Sequence, residues 1–133
     1  MNERKRSTRR PTLCLDFDGV LHAYTSGWKG AEIIPDEPVP GALEFLDLAR
    51  KHFKLAIYSS RSAYPTGIKW MQVWLRDYLL DAFGMDKADD IMDDIDWPTS
   101  KPSAFLTIDD RALTFTGTWP SIKELLAFKP WNK

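Results

Sequence analysis

The sequence predicts an α/β fold in which a mostly parallel β-sheet carries helices on both faces. The short apolar runs "TLCLDF" and "FKLAIYSS" are typical of buried strands, and amphipathic stretches with helical spacing lie between such runs. Strands that alternate with helices pair in parallel, because each intervening helix crosses over the sheet and covers it. The chain has 133 residues, 44% of them hydrophobic, which is enough for one core. We therefore expect a single three-layer, Rossmann-like domain over residues 12–133.

The first half of the chain contains two predicted strands and two predicted helices. "TLCLDF" is the first strand, and the glycine-containing residues 19–35 predict a turn followed by a small hairpin flap. A helix follows the prolines at residues 38–40. Its apolar positions fall on one side and are Ala42, Leu43, Phe45, Leu46 and Ala49. "FKLAIYSS" is the second strand, and residues 67–80 predict an amphipathic helix.

The second half of the chain is less regular. The acidic stretch "DDIMDDIDW" predicts a short strand near Ile91 to Ile95. "AFLTIDD" predicts another buried strand that ends in carboxylates, and "ALTFTG" predicts one more short strand. "WPSIKELLAF" has the apolar spacing of a final helix. The alternation of strand and helix thus continues to the end of the domain.

The charge composition gives no sign of a global nucleic-acid or membrane partner. Lys plus Arg is 18 and Asp plus Glu is 19, so the net charge is −1. The basic residues 1–11 predict either a solvated arm without fixed structure or an arm that contacts the phosphates of a nucleic acid. No apolar run approaches the roughly 20 residues that span a bilayer, so we expect no membrane segment and a cytoplasmic location. The single cysteine, Cys14, allows no intramolecular disulfide and fits a reducing compartment.

Polar side chains follow several strands at the point where each strand ends. They are Asp16, Asp18, Ser59, Asp109 and Asp110. The carboxyl ends of parallel strands meet at one edge of the sheet, where open α/β folds bind ligands. Neighbouring carboxylates repel one another and resist desolvation, so we expect a bound cation to compensate them. Oxygen ligands suit Mg²⁺, whereas His22 and His52 are too few and too scattered for a zinc site.

A hydroxyl and an ammonium group near this site would complete a phosphate-binding arrangement. Ser59 and Lys101 are the candidates, and the lysine would offset the negative charge of phosphate and carboxylates together. An aspartate can attack phosphorus and form an aspartyl-phosphate. A second acid can protonate the leaving oxygen and then deprotonate water. These residue types favour phosphoryl transfer with Mg²⁺ as the cofactor.

Four motifs, in this order, resemble those of the haloacid-dehalogenase-like (HAD) phosphohydrolases. They are "DFDGV", "AIYSS", "KP" and "IDD", and the resemblance extends over about residues 12–128. It implies a HAD-like fold and a phosphatase that acts through an aspartyl-phosphate. It also implies that Asp16 is the nucleophile and that Asp18 is the general acid and base, with the Asp18 backbone carbonyl contacting Mg²⁺.

The same resemblance assigns the phosphate and metal contacts. It implies that Ser59 binds phosphate, that Ser60 can share this role, and that Lys101 is the phosphate-binding lysine. Asp109 is the implied remaining metal ligand, and Asp110 is either a ligand or a neighbour of one. Together with Asp16 and Asp18, these residues form the predicted Mg²⁺ site.

The intervals between the motifs leave no room for the cap domain that many members acting on small metabolites carry. An open site suits a phosphorylated substrate such as a nucleotide, a nucleic-acid end or a phosphoprotein. A small phosphate ester, with a partner subunit closing the site, is the alternative. Tyr24 and Trp28 on the flap are candidate substrate contacts, although they could simply pack the flap on the domain. Arg61 follows the serines and is a candidate phosphate contact; the oligomeric state is not predicted.

Two functions of other classes compete with hydrolysis. A receiver-like phosphoacceptor domain also uses acids, a hydroxyl, a lysine and Mg²⁺, but its phosphoacceptor ends a mid-chain strand, where this chain has Ser59. A phosphate-end or nucleic-acid-binding module with little catalysis would use the basic arm. The intact pair Asp16 and Asp18 favours the enzyme over both alternatives.

Overall fold

The computed structural model describes residues 10–133, and its centre is a four-stranded sheet. The strands are β1 (Thr12–Leu15), β2 (Lys54–Ile57), β3 (Ile95–Asp96) and β4 (Leu106–Ile108), in the spatial order β3-β2-β1-β4. All pairings are parallel, and Cys14 of β1 lies opposite both Ala56 and Thr107. The predicted α/β fold with a mostly parallel sheet is confirmed. The basic arm predicted for residues 1–11 falls, up to residue 9, outside the described residues.

Helices occupy the connections from β1 to β2 and from β2 to β3, and one further helix follows β4. Those in the described residues are α1 (Ala42–Ala49), α2 (Pro65–Phe83), α3 (Met85–Asp93) and α4 (Ile122–Leu126), with a short 3-10 helix at Ser60–Ala63. Proline suits the first turn of α2, because its fixed φ is helical and its missing N–H has no partner to lose there. Gly84 ends α2 with a φ of +86°, which a right-handed helix cannot continue. Within residues 10–133, no helix has the combination of length and apolarity that crossing a bilayer requires.

The hydrophobic core lies between one face of the sheet and the helices. Alternate strand residues point to the same face, and Leu15 of β1 and Ile57 of β2 are both buried there. Leu46 of α1 and Leu75 of α2 are fully buried against them. Each such side chain contributes about 1.5–3 kcal/mol by its removal from water. This packing fixes β1 and β2, whose carboxyl ends carry the predicted site residues.

The direction of the crossovers explains why the core lies on one face. The chain steps from β1 to β2 and on to β3 in the same direction, and right-handed crossovers in one direction place their helices on the same face. The return from β3 to β4 passes through residues 97–105, which contain no helix. Helix α4 buries none of its residues. The three-layer arrangement with helices on both faces therefore stays a prediction.

Three local predictions are wrong. Residues 19–37 form turns and isolated bridges at His22 instead of a two-stranded hairpin. The short strand expected near Ile91 to Ile95 begins only at Ile95, because residues 85–93 form helix α3 and bury Ile91 on its apolar side. The stretch "ALTFTG", residues 112–117, contains no strand. Helix packing explains the second case, whereas residues 112–117 are all exposed and an apolar pattern of this length does not decide the structure. A fourth prediction is wrong in part, because the strand in "AFLTIDD" is present as β4 but its three residues are exposed instead of buried.

The C-terminal residues contribute little to this core. Many large apolar side chains there are exposed; they are Phe105, Leu106, Ile108, Leu113, Phe115, Trp119, Ile122, Leu125, Leu126, Phe128 and Trp131. Trp119 is 83% exposed and Leu126 is also 83% exposed. The chain nevertheless returns to the domain at its end, because the indole N–H of Trp131 donates to the carbonyl oxygen of Gly19 at 2.8 Å. This contact places Trp131 beside the turn that follows β1.

Candidate active site

The parallel pairing of β1 and β4 brings their carboxyl ends together. Asp16 directly follows β1, and its backbone N–H donates to the carbonyl oxygen of Ile108 at 3.0 Å. Asp109 and Asp110 directly follow β4. One carboxylate oxygen from each of Asp16, Asp109 and Asp110 lies within 4.8 Å of the others. The cluster that the sequence predicts at this edge is thus present, except for the carboxylate of Asp18.

Asp110 is the least satisfied group of the cluster. Its side chain is 2% exposed, and neither carboxylate oxygen has a hydrogen-bond partner among the described residues. Within residues 10–133, the nearest cation is the guanidinium of Arg111, whose Nε lies 3.8 Å from Asp110 Oδ2 and therefore too far for a hydrogen bond. A buried carboxylate without a partner is costly. The donor set therefore fits a bound cation with oxygen ligands such as Mg²⁺.

Gly19 allows the turn after β1 to approach Asp110 this closely. The φ of Gly19 is +82°, in the left-handed region that glycine adopts without steric cost. A Cβ atom at this position would clash with the Asp110 carboxylate. Two structural features therefore explain why the "DFDGV" motif has glycine at this position: the left-handed backbone conformation and the lack of space for a side chain.

Asp16 lies in an environment that disfavours its charged form. Burial, together with the nearby carboxylates of Asp109 and Asp110, raises its pKa from 3.8 to about 7, although the hydrogen bond from the backbone N–H of Phe17 opposes the shift. That N–H donates to Asp16 Oδ1 at 2.8 Å and holds the side chain in place. A cation beside Asp16 would reverse the balance and favour the carboxylate.

Asp109 differs from its neighbours because it is exposed and has a local partner. Its Oδ1 accepts a hydrogen bond from the backbone N–H of Arg111 at 2.8 Å. This contact orients one oxygen within the turn after β4 and leaves the other free. Asp109 can therefore both stabilise the turn and hold a cation.

Asp18 points away from the cluster and towards the loop formed by residues 24–37, hereafter loop 24–37. The Nε of Arg61 donates to both of its oxygens, at 3.2 and 3.0 Å. The Nδ1 of His22 lies 2.9 Å from Asp18 Oδ1, and its Nε2 accepts the backbone N–H of Asp36 at 3.0 Å. The proton of a neutral His22 therefore sits on Nδ1 and is donated to Asp18. A metal contact of Asp18 through its backbone carbonyl stays a prediction.

The two serines after β2 have different orientations. Ser59 is 5% exposed, and its hydroxyl oxygen accepts the backbone N–H of Arg61 at 3.0 Å, which caps the 3-10 helix. The same hydroxyl lies 3.6 Å from the sulfur of Met71, so it faces the protein interior. Ser60 is exposed. Of the two serines, Ser60 is therefore the one that is accessible to a ligand.

Lys101 is exposed, and its charge is within electrostatic range of Cys14 in β1. The evidence is the environment of Cys14, whose thiol pKa is raised by burial and by the carboxylates of Asp16 and Asp109. The positive charge of Lys101 acts to lower the pKa of the same thiol. The ammonium group is thus within electrostatic range of the strand that leads into Asp16.

Among the predicted substrate residues, Arg61 is enclosed whereas Tyr24 and Trp28 are accessible. Arg61 is 0% exposed, and Trp28 is 48% exposed with its ring 4.8 Å from the guanidinium carbon. Tyr24 has a φ of +62°, unusual for a non-glycine residue, and its ring meets that of His22 edge to face. The described geometry therefore places Arg61 on Asp18 and the loop, not at the surface where a phosphate would arrive.

Comparisons of this chain with protein-family models, curated proteins and solved structures find no significant match.

Sequence reasoning missed two residues of the site. His22 was given no role, yet it is fully buried and contacts Asp18. Trp131 lines a pocket of about 250 Å³ together with Gly19, Asp109 and Asp110. A histidine four residues after an aspartate was the one available signal for His22. Nothing in the sequence indicates Trp131, because its contact with Gly19 spans 112 positions.

The arrangement has the parts that phosphoryl transfer requires. A partly buried carboxylate at Asp16 stands beside two further acids that can hold a cation, and a separate carboxylate at Asp18 is fixed by two donors. The pocket next to Asp109 and Asp110 is smaller than the roughly 300–1,000 Å³ of sites that enclose a whole ligand. Its lining includes neither Asp16 nor Asp18, so the pocket adjoins the cluster without enclosing either of these carboxylates.

Proposed function

We propose that the protein is a Mg²⁺-dependent phosphomonoester hydrolase of the HAD type, with a three-layer fold and no cap domain. The observation that carries the proposal is the buried Asp110 carboxylate, which has no hydrogen-bond partner among the described residues and lies beside Asp16 and Asp109. Such a cluster is unfavourable without a cation. The order of the four motifs along the chain is the second support.

Asp16, Asp109 and Asp110 would hold the metal ion, with the backbone carbonyl of Asp18 as a further ligand. When bound, Mg²⁺ supplies positive charge that offsets the repulsion between the carboxylates and an incoming phosphate. Burial already isolates Asp16 from water, so this electrostatic effect is stronger there than at the surface.

Asp16 is the nucleophile in this proposal. One of its oxygens forms a bond to phosphorus as the bond between phosphorus and the ester oxygen breaks, and a protonated Asp18 gives its proton to the departing oxygen. Water then attacks the phosphorus of the aspartyl-phosphate and passes a proton to Asp18. The bond between phosphorus and Asp16 breaks, which releases inorganic phosphate and restores both aspartates.

Ser60 and Lys101 bind the phosphoryl oxygens in this proposal. Ser60 is exposed, whereas the Ser59 hydroxyl caps the 3-10 helix by accepting the backbone N–H of Arg61. Ser59 therefore fixes the backbone at the start of this helix. Lys101 is exposed and adds a positive charge. The intervals between the motifs leave no room for a cap domain, and an open site suits substrates such as nucleotides, nucleic-acid ends or phosphoproteins.

The test is phosphate release with and without Mg²⁺ over a panel of esters. The panel holds p-nitrophenyl phosphate, nucleotides, sugar phosphates, and oligonucleotides phosphorylated at either end. We expect Mg²⁺-dependent turnover that Asp16→Asn abolishes and that the matched surface change Asp90→Asn leaves intact. Equal turnover of the wild type and Asp16→Asn would exclude the proposed nucleophile. Mg²⁺ binding without turnover of any ester would favour a phosphate-binding role.

A further inference from the structure

Arg61 connects the proposed acid to the loop above it. The guanidinium is 0% exposed and donates through Nε to both oxygens of Asp18. Its Nη1 donates to three carbonyl oxygens of loop 24–37, those of Gly30, Ala31 and Ile33, at 2.8, 2.9 and 3.2 Å. One side chain thus fixes the orientation of a carboxylate and the path of a loop at once.

The surroundings of Arg61 hold the guanidinium in this position. Trp28, in the same loop, lies over it at 4.8 Å, and Phe17 lies on the strand side at 5.9 Å. The backbone N–H of Arg61 is bound by the Ser59 hydroxyl, and a Cβ at Gly67 would clash with its carbonyl oxygen. The guanidinium has little freedom to swing out towards a phosphate.

His22 completes the support of Asp18 from the opposite end of the loop. It donates to Asp18 Oδ1 and accepts the backbone N–H of Asp36, where the loop returns to the domain. Asp36 in turn accepts the hydroxyl of Ser26 at 2.6 Å and its backbone N–H at 2.8 Å. Both donors to Asp18 are therefore attached to loop 24–37, one at its middle and one at its base.

We propose that Arg61 is a positioning residue for Asp18, and that through Arg61 loop 24–37 governs proton transfer to the leaving group instead of phosphate binding. This inference rests on the proposed function. Nη2 of Arg61 has no partner among the described residues and is itself buried, so it offers no accessible donor to a phosphate. The conservative change Arg61→Lys keeps the charge but cannot contact Asp18 and three carbonyls together.

Substrates with different leaving groups distinguish a role of Arg61 in proton transfer from a role in phosphate binding. An alkyl phosphate has a poor leaving group and needs an acid, whereas p-nitrophenyl phosphate has a good one and does not. General acid catalysis contributes about 10²–10⁴-fold, so we expect Arg61→Lys to lower kcat by roughly 100-fold for the alkyl ester. For the aryl ester we expect a loss of less than about 10-fold, with KM nearly unchanged for both. An equal loss on both esters, or a rise in KM alone, would overturn the proposal.

Two further variants test whether Arg61 acts through Asp18. In an Asp18→Ala background, Arg61→Lys should cause no additional loss of kcat for the alkyl ester, because the residue through which it acts is gone. Arg50→Lys is the matched control, since Arg50 also contacts two carboxylates, those of Asp47 and Asp94, at the end of α1. It should leave the ratio of alkyl to aryl activity unchanged. Independent, additive losses in the double variant would refute action through Asp18.

A readout without turnover distinguishes this proposal from the proposed function. Amide hydrogen exchange at residues 30–33 should increase in Arg61→Lys and in Asp18→Asn, but not in Arg50→Lys. If Arg61→Lys does not fold, Trp28→Ala is the second variant, because it removes only the side chain that stacks on the guanidinium. Amide hydrogen exchange at residues 30–33 should then also increase, but by a smaller amount. Unchanged exchange in loop 24–37 would overturn the proposal even if the wild type is active. An inactive wild type with the expected exchange pattern would reject the hydrolase and retain the connection between Arg61 and the loop.

Discussion

Replacing Asp16 by asparagine should stabilise the metal-free protein at pH 8. The substitution keeps the shape of the side chain and the oxygen that accepts the Phe17 N–H, but it removes a charge that burial disfavours. The pKa of Asp16 is raised from 3.8 to about 7, and at about 1.4 kcal/mol per pKa unit this corresponds to roughly 4 kcal/mol. For a domain of this size, that is a rise of roughly 10 °C or more in Tm.

The sign follows from proton linkage. The folded protein binds the Asp16 proton more tightly than the unfolded chain does, so this group contributes stability that is fully present below pH 4. That contribution is lost as the pH rises through about 7. The asparagine variant has no such loss. The difference in stability between variant and wild type should therefore be large at pH 8 and small at pH 4.

Urea unfolding in EDTA at pH 4, 6 and 8 measures this difference, with Asp90→Asn as the control for removal of an exposed acid. Added Mg²⁺ at pH 8 should raise the stability of the wild type by mass action and that of Asp16→Asn much less. A variant that is less stable than the wild type at pH 8 in EDTA would refute the reasoning. It would mean that Asp16 is already compensated in the protein without a metal ion.

Further predictions concern the turn after β1 and an ion-pair network on the surface. Gly19→Ala should abolish Mg²⁺-dependent stabilisation, because the added Cβ would clash with the Asp110 carboxylate. Gly27→Ala is the control, since Gly27 has a similar φ of +74° but a Cβ there would meet no atom within 4 Å; it should cost only about 1–2 kcal/mol of stability and leave Mg²⁺ binding intact. Thermal unfolding of both variants with and without Mg²⁺ measures the difference. Loss of Mg²⁺ binding in both variants would contradict the steric argument. Asp47→Asn should destabilise the protein by less than about 1 kcal/mol at pH 7, because the hydrogen bond from Lys87 lowers the Asp47 pKa and the pair is near the surface. This cost should disappear as the pH falls through the lowered pKa, and a cost that persists in acid would argue for a packing role instead.

The sheet and the acid cluster were accessible to sequence reasoning for one physical reason. Strands of four residues such as β1 and β2 are buried and therefore apolar, and the first polar residue marks where each one ends. Parallel topology then brings Asp16 and the acids after β4 to the same edge without any knowledge of side-chain contacts. The helices of the core were predictable for the same reason, because Leu46 and Leu75 belong to continuous apolar faces.

The loop and the partners of Asp18 were not accessible, because they depend on contacts between residues far apart in sequence. Arg61 reaches carbonyl oxygens of residues about 30 positions earlier, and carbonyl groups have no sequence signature. An arginine next to two serines suggests a phosphate contact, and only burial shows that its partners are a carboxylate and a loop. The orientation of Asp18 follows from this burial. The motif predicts Asp18 as the proton carrier, whereas its side-chain partners, and the proposed role of loop 24–37, are evident only from the three-dimensional contacts.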